Sequence, residues 1–595
     1  RYDVLISPHD RAPGAPRPVS WPVPRRHPDG GQPGAYANDP VDGRRCRALV
    51  PALRRFLADR LPPYLVPSVV IPVDVLPTTA HGKVDRARLS LPAGDDPLGE
   101  EGFVAPRTAL ERTLAGFWGD ALGNDRVGVR DDFFALGGHS LIAASVVARI
   151  ERECEVRVSL RRFFENPTVE ESARLVERLR SGEGASPAGL TVPGLRAEAT
   201  LDPSVRPRAP GARSATGRVL LTGATGFLGG FLLQELMTRT SFHVEVLVRG
   251  TTDAAAARER VLRSAARWGI RDDGWSGRVT AVPGDLSRPF LGLEPRRFER
   301  LADDTDAIYH NAAEVDLVRP YRALRATNVT GTVEILRLAT WRGCRPVHYV
   351  STLAAVSLMR PSHPWTEGPL DVDGLDPDLL AGAPVGYSVS KFVAERILAE
   401  AGTRGIPVTV LRPTSITGHS RTGAANTADF LHAVLRESLL AGCLPDDVRL
   451  DLVPVDFASA AVVEISLAPI AGGYFHLASP EPMGIDGVVA WAASRGFTVE
   501  PVDRRTWLRR MVVRVRDGES SLGVFSGLVG ELLEYPGLHR FMQARIERPA
   551  TVNTEHALAG TGLVCPPVDR ALLDTYLDHL VRTGFLDAAP GDPAR

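Results

Sequence analysis

Thr222-Gly223-Ala224-Thr225-Gly226-Phe227-Leu228-Gly229 follows the apolar run Arg218–Thr222 and opens into helical spacing, and its reading decides the fold. Gly223 permits a tight turn, Gly226 lets backbone approach a pyrophosphate, and Gly229 lets the following helix pack close to the strand. The amides and positive dipole end of that helix then face the phosphates. A glycine pattern alone is weak evidence; with a strand before it and a helix after it, it reads as a dinucleotide-binding turn. Thr222, Gly223, Thr225, Gly226, Phe227, Leu228 and Gly229 are therefore expected at a dinucleotide.

Further strands are predicted at His243–Val248, Val279–Val282, Ala307–His310, Val347–Val350 and Val408–Arg412, with helical patterns between most of them. That alternation predicts an α/β Rossmann-type doubly wound parallel sheet. After Gly418 the strand rhythm weakens and helices dominate, which predicts a helical C-terminal substrate subdomain. The second strand ends in Arg249, where sites that take NAD usually place a carboxylate, so a cation suited to the 2′-phosphate of NADP stands there. Asp285-Leu286 follows the third strand and is expected to border the adenine. Asn311-Ala312-Ala313 closes the fourth, where small residues leave room for the cofactor.

Tyr387 and Lys391 lie four apart on a helical segment and so share a face. An ammonium near a phenol lowers the phenol's pKa and lets it donate a proton near neutral pH. Thr352 ends the fifth strand, at the edge where open α/β sheets bind ligands, and can hydrogen-bond a carbonyl oxygen as charge develops on it. With these three in order behind the phosphate loop, the segment resembles the extended short-chain dehydrogenase/reductase family. The runs His310-Asn311-Ala312-Ala313-Glu314-Val315, Arg412-Pro413-Thr414-Ser415-Ile416-Thr417-Gly418 and Val453-Pro454-Val455-Asp456-Phe457 narrow this: they resemble the thioester reductase domains that end many nonribosomal peptide synthetases and carboxylic acid reductases. The resemblance implies catalytic roles for Thr352, Tyr387 and Lys391. It also implies cofactor contacts from the glycine turn, Arg249, Lys391 and Pro413, with NADPH as the reductant.

Upstream, residues 105–180 read as a small helical bundle. Leu110, Leu114, Trp118 and Leu122 mark one helix face, a second helix begins at Ser140, and Thr168 with Glu171 has capping-box spacing. Asp131-Asp132-Phe133-Phe134-Ala135-Leu136-Gly137-Gly138-His139-Ser140-Leu141 resembles the attachment motif of peptidyl carrier proteins, which have a four-helix fold. That likeness implies 4′-phosphopantetheine on Ser140, placed there by a phosphopantetheinyl transferase and holding an acyl or peptidyl thioester. Residues 48–90 resemble the C-terminal subdomain of an adenylation domain, with Lys83 in His81-Gly82-Lys83-Val84-Asp85-Arg86 at the position of that family's lysine; His81 stands where the family usually has Asn. The expected layout is a small α+β adenylation remnant at 1–95, the carrier at 105–180, a Gly/Pro/Ser/Ala linker at 181–215 and the reductase at 216–590.

The chain has 595 residues, 70 Lys plus Arg against 71 Asp plus Glu, and a net charge of −1, so no general affinity for nucleic acid or an anionic membrane is expected. Cys46, Cys154, Cys344, Cys443 and Cys565 form no C-x-x-C pair, which argues against a zinc site and for a reducing cytoplasm. No apolar run is long enough to span a bilayer. A start at Arg1 suggests a piece of a longer chain with upstream synthetase modules. Together these features predict reductive release of a carrier-bound thioester as an aldehyde or alcohol. The alternatives are a carboxylic acid or aminoadipate-type reductase acting on one small acid, a cyclising domain without hydride transfer, and an NADP-sensing module.

Overall fold

The structure, a computed structural model, describes residues 103–587 apart from 125, 134–135, 137, 139, 157, 159–161, 164–165, 182–189, 208–216, 252, 273, 318, 361–364, 383–384, 470–471, 517–519 and 523–548. The chain divides into two units, 1–93 and 94–595. The first, which holds the expected helix at 48–61, the strand at 68–75 and Lys83, lies outside the described residues.

The carrier segment shows α1 (Ala109–Leu122), α2 (Ser140–Cys154) and α3 (Val169–Arg180). The reciprocal capping box sits at α1: Thr108 Oγ1 accepts from Glu111 N at 3.0 Å, and Glu111 accepts from Thr108 N at 3.1 Å. At α3 only half of it forms, because the Thr168 hydroxyl that accepts from Glu171 N donates to the Glu171 carboxylate itself. Trp118, Phe133 and Phe163 meet edge to face at the centre, with ring centroids 4.9–5.7 Å apart. The attachment motif is thus partly a packing motif: Phe133 fills the core, and a Cβ on Gly138 would lie 2.3 Å from its ring.

Residues 190–207 fall in the stretch read as linker, and they pack on the α/β unit. Helix α4 (Val192–Glu198) turns Leu195 inward, and Leu195, Leu201 and Val205 join the main hydrophobic core. Arg404 donates to the carbonyls of Leu201, Asp202 and Val205 at 2.7–2.9 Å.

The α/β unit has seven parallel strands: β1 (Arg218–Thr222), β2 (His243–Val248), β3 (Val279–Pro283), β4 (Ala307–His310), β5 (Val347–Val350), β6 (Val408–Pro413) and β7 (Gly473–Leu477). Their spatial order is β7-β6-β5-β4-β1-β2-β3. The order reverses between β1 and β4, which opens a crevice at the carboxyl ends of the strands. The helices that position the site are α5 (Phe227–Arg239), α6 (Ala254–Arg267), α7 (Tyr321–Arg325), α8 (Gly331–Thr340) and α9 (Gly386–Thr403).

The C-terminal part carries the expected helical subdomain, where Trp491, Leu572, Tyr576 and Leu580 build a core of their own. It also returns to the sheet. Helix α10 (Val455–Leu467) packs on α5, and β7 adds the outer strand beside β6. Among the described residues, no helix is long and apolar enough to cross a membrane.

Candidate active site

The phosphate turn is shaped by contacts that only glycine allows. Gly223 has φ +80°, and a Cβ there would lie 2.8 Å from Ala312 backbone. A Cβ on Gly229 would lie 1.9 Å from the Gly223 carbonyl oxygen. Gly226 caps α5 with no side-chain hydrogen bond, so no side chain occupies the first amides of the helix. These features fit a dinucleotide pyrophosphate. Gly229→Ala is expected to push the turn outward, weakening NADPH binding more than tenfold and costing about 1–3 kcal/mol of stability; fluorescence titration and thermal melts measure the two.

Of the residues expected at the cofactor, several hold the turn in place. Thr222 is fully buried: its Oγ1 is 2.9 Å from His310 Nδ1 and accepts from Ala312 N at 3.0 Å, tying β1 to the end of β4. Asn311 Nδ2 reaches the Gly223 carbonyl at 3.4 Å, and Ser264 on α6 donates to the Thr225 carbonyl at 2.5 Å. Phe227 packs edge to face on Phe231 and Trp268, while Leu228 is half-buried beside it. Leu286 is buried in the core under Gly331, and Asp285 accepts from the amide and hydroxyl of Ser287. Pro413 is buried at the end of β6. Arg249 is exposed at the end of β2, its carbonyl accepting from Arg260 Nη1 at 2.8 Å.

Lys391 and Tyr387 stand on α9, and Thr352 follows β5. Lys391 is 2% exposed; its Nζ donates to the Val350 carbonyl at 2.8 Å and lies 4.5 Å from the centre of the Tyr349 ring. Burial pulls its pKa down to about 7, against the opposing pull of the Glu395 carboxylate. Tyr387 departs from the sequence expectation. Burial pushes its phenol up from the ordinary range, opposite to the lowering expected from a neighbouring ammonium. Thr352 Oγ1 accepts from Ala354 N at 3.2 Å, capping a 3-10 turn.

The sequence reading missed a buried frame around these groups. Asn328 lies in a π-helical turn at Ala326–Thr330; its Oδ1 accepts from Glu314 N at 2.7 Å, and its Nδ2 donates to Ser390 Oγ at 2.9 Å and to the Glu314 carbonyl at 3.0 Å. Such turns often mark functional sites. Glu395, one turn beyond Lys391, is 1% exposed and pairs with Arg412, itself 0% exposed, at 2.7–3.2 Å. Ser351, next to Thr352, donates to the same carboxylate. Arg412 also reaches the Gly368 carbonyl at 2.8 Å and lies 3.1 Å from His476 Nε2 on β7. The Tyr-x-x-x-Lys spacing continues to Glu395 and was the available signal. At the mouth, a Cβ on Gly386 would lie 2.4 Å from the Arg319 carbonyl and 2.8 Å from Tyr321 N, so α9 begins directly against the 311–320 loop.

A phosphate cradle at the reversal point of a seven-stranded parallel sheet defines a dinucleotide-binding α/β fold. Comparison with known proteins carries this further. Residues 221–462 match the family described as Male sterility protein, and residues 112–176 match the Phosphopantetheine attachment site family, with Ser140 at the start of α2. The chain is 34% identical over 555 residues to a linear gramicidin synthase of Brevibacillus parabrevis, covering 91% of this chain and 10% of that protein. It is 37% identical over 575 residues to an isonitrile lipopeptide synthase of Streptomyces coeruleorubidus, covering 91% and 38%. The chain thus spans well under two thirds of these relatives. The solved terminal R domain from the myxalamid PKS-NRPS pathway is 36% identical with a TM-score of 0.60, covering 67% of this chain and 99% of that one. The chain belongs to the family of reductase domains of nonribosomal peptide synthetases, and carries a phosphopantetheine carrier domain ahead of the reductase.

Proposed function

We propose that this chain releases an acyl or peptidyl chain, held as a thioester on the phosphopantetheine of Ser140, by reduction with NADPH to an aldehyde or alcohol. The observation that supports the reading is a dinucleotide cradle in a chain with its own carrier domain, with Thr352 following β5 and Tyr387 and Lys391 one turn apart on α9. Upstream modules would supply the acyl chain and a phosphopantetheinyl transferase would modify Ser140; a cytoplasmic setting would suit the four described cysteines, which carry no disulfide.

The cofactor, when bound, supplies the hydride that attacks the thioester carbonyl. Tyr387 donates its proton to the oxygen on which charge develops, a role that suits a phenol kept protonated by burial. The Thr352 hydroxyl, held at the strand end by its cap, lends a second hydrogen bond to that oxygen. Lys391, anchored on the Val350 carbonyl with its pKa drawn down to about 7 by burial, holds its Nζ at the end of β5. The resulting thiohemiacetal collapses: its C–S bond breaks, its hydroxyl proton passes to the departing sulfur, and the carrier thiol and the aldehyde separate.

The test loads Ser140 with acyl-phosphopantetheine, supplies NADPH or NADH separately, and follows cofactor absorbance with product mass. Oxidation of NADPH with aldehyde or alcohol release is the expected result; release without cofactor oxidation would sink the reading. Arg249 is assigned to the 2′-phosphate. Arg249→Ala is expected to raise the KM for NADPH about 10- to 100-fold, the loss of one charged hydrogen bond, and to leave NADH kinetics unchanged.

A further inference from the structure

We propose that residues 190–207 form a clamp that shortens the carrier's tether and thereby gives the reductase its preference for the thioester on its own carrier. The inference rests on the reductive reading above. By composition the whole 181–215 stretch would be slack, whereas the structure returns the chain to a fixed surface at Leu190. Three anchors hold it there. Leu195, Leu201 and Val205 are buried to within 1%. Arg404 at the end of α9 gathers three of the strap's carbonyls, and Glu400 accepts from Leu201 N at 2.8 Å. Glu198 receives Arg325 Nε at 2.5 Å and the Tyr321 hydroxyl at 3.3 Å, both from α7, which follows the mouth loop. The strap therefore grips the far end of the helix whose near end carries Tyr387, together with the helix beside the mouth.

The consequence is one of length. From Ser181, which caps α3, to Leu190 there are nine residue steps; to Gly217 there would be 36. At full stretch these span about 30 Å and about 120 Å. Because effective concentration falls roughly as the −3/2 power of tether length, a fourfold longer tether dilutes the carrier at the site about eightfold.

Two full-chain variants test this. One inserts 27 Gly/Ser residues between Ala185 and Ser186 and leaves the strap intact, giving 36 steps; the other, Glu198→Ala with Arg404→Ala, releases the strap. For each, the single-turnover rate on the Ser140-bound thioester is divided by the rate on the same acyl group presented as a free pantetheine thioester. Both variants are expected to lower that ratio about eightfold with the free-thioester rate unchanged. A ratio within twofold of the unaltered chain in the insertion variant overturns the proposal. So does a parallel fall in both rates, which would make the strap only a piece of the fold. Trypsin reports docking independently of turnover: the Arg196–Ala197 bond should resist cleavage in the unaltered chain and be cut in the release variant, and equal cleavage in both also overturns it. If the free thioester consumes no NADPH even in the unaltered chain, it is the reductive reading that fails, and the trypsin result still decides the clamp.

Discussion

Tyr387→Phe is expected to slow NADPH-dependent release about 100- to 10,000-fold, the range for removal of a positioned general acid. The change deletes one oxygen and leaves the ring on α9, so cofactor affinity and the melting temperature should stay where they were. Single-turnover rates, with NADPH titration alongside, measure this. The loss should fall on kcat and kcat/KM together, as for a contact made only in the transition state. A variant retaining more than a tenth of the rate would show that proton donation comes from elsewhere. The burial that raises the phenol's pKa suits it to hold a proton until an oxyanion forms beside it.

The second large effect is on stability. Arg412→Ala is expected to cost about 3–5 kcal/mol, because it strands the Glu395 carboxylate in the core without its cation. Equilibrium denaturation, followed by tryptophan fluorescence, measures it. Replacing both members, Glu395→Gln with Arg412→Met, should cost clearly less than Arg412→Ala alone, since the desolvation of two charges no longer has to be offset. A double variant as unstable as the single one would mean that the hydrogen bonds to Gly368 and Ser351, and not the ion pair, hold β6 and β7 to α9.

The contrast between these two regions explains what the sequence displayed. Six strands were legible to within a residue, because each is an apolar run bounded by turn residues and the glycine cradle fixes the first. β7 escaped notice because it returns after a long excursion, as a five-residue run at the sheet's edge. Tyr387, Lys391 and Thr352 stand in a recognisable spacing, but Asn328 does not: its place depends on a π-turn, which leaves no periodic mark in Ala326–Thr330. Thr222 looked like a ligand contact because it sits in the cradle, yet its hydroxyl is committed to His310 and Ala312. The strap read as linker because Leu195, Leu201 and Val205 are spaced without a helical or strand period, so only the surface that receives them reveals their use.

The absence of room at Gly386 bears on how such a site can be re-engineered. With the Arg319 carbonyl 2.4 Å from where a Cβ would stand, the first turn of α9 and the loop ahead of it must shift together or not at all. Libraries meant to widen substrate scope should therefore leave Gly386 and the Arg319–Tyr321 backbone untouched. Diversity belongs at Val315, 68% exposed on the same loop, where side-chain volume can change without displacing the first turn of α9.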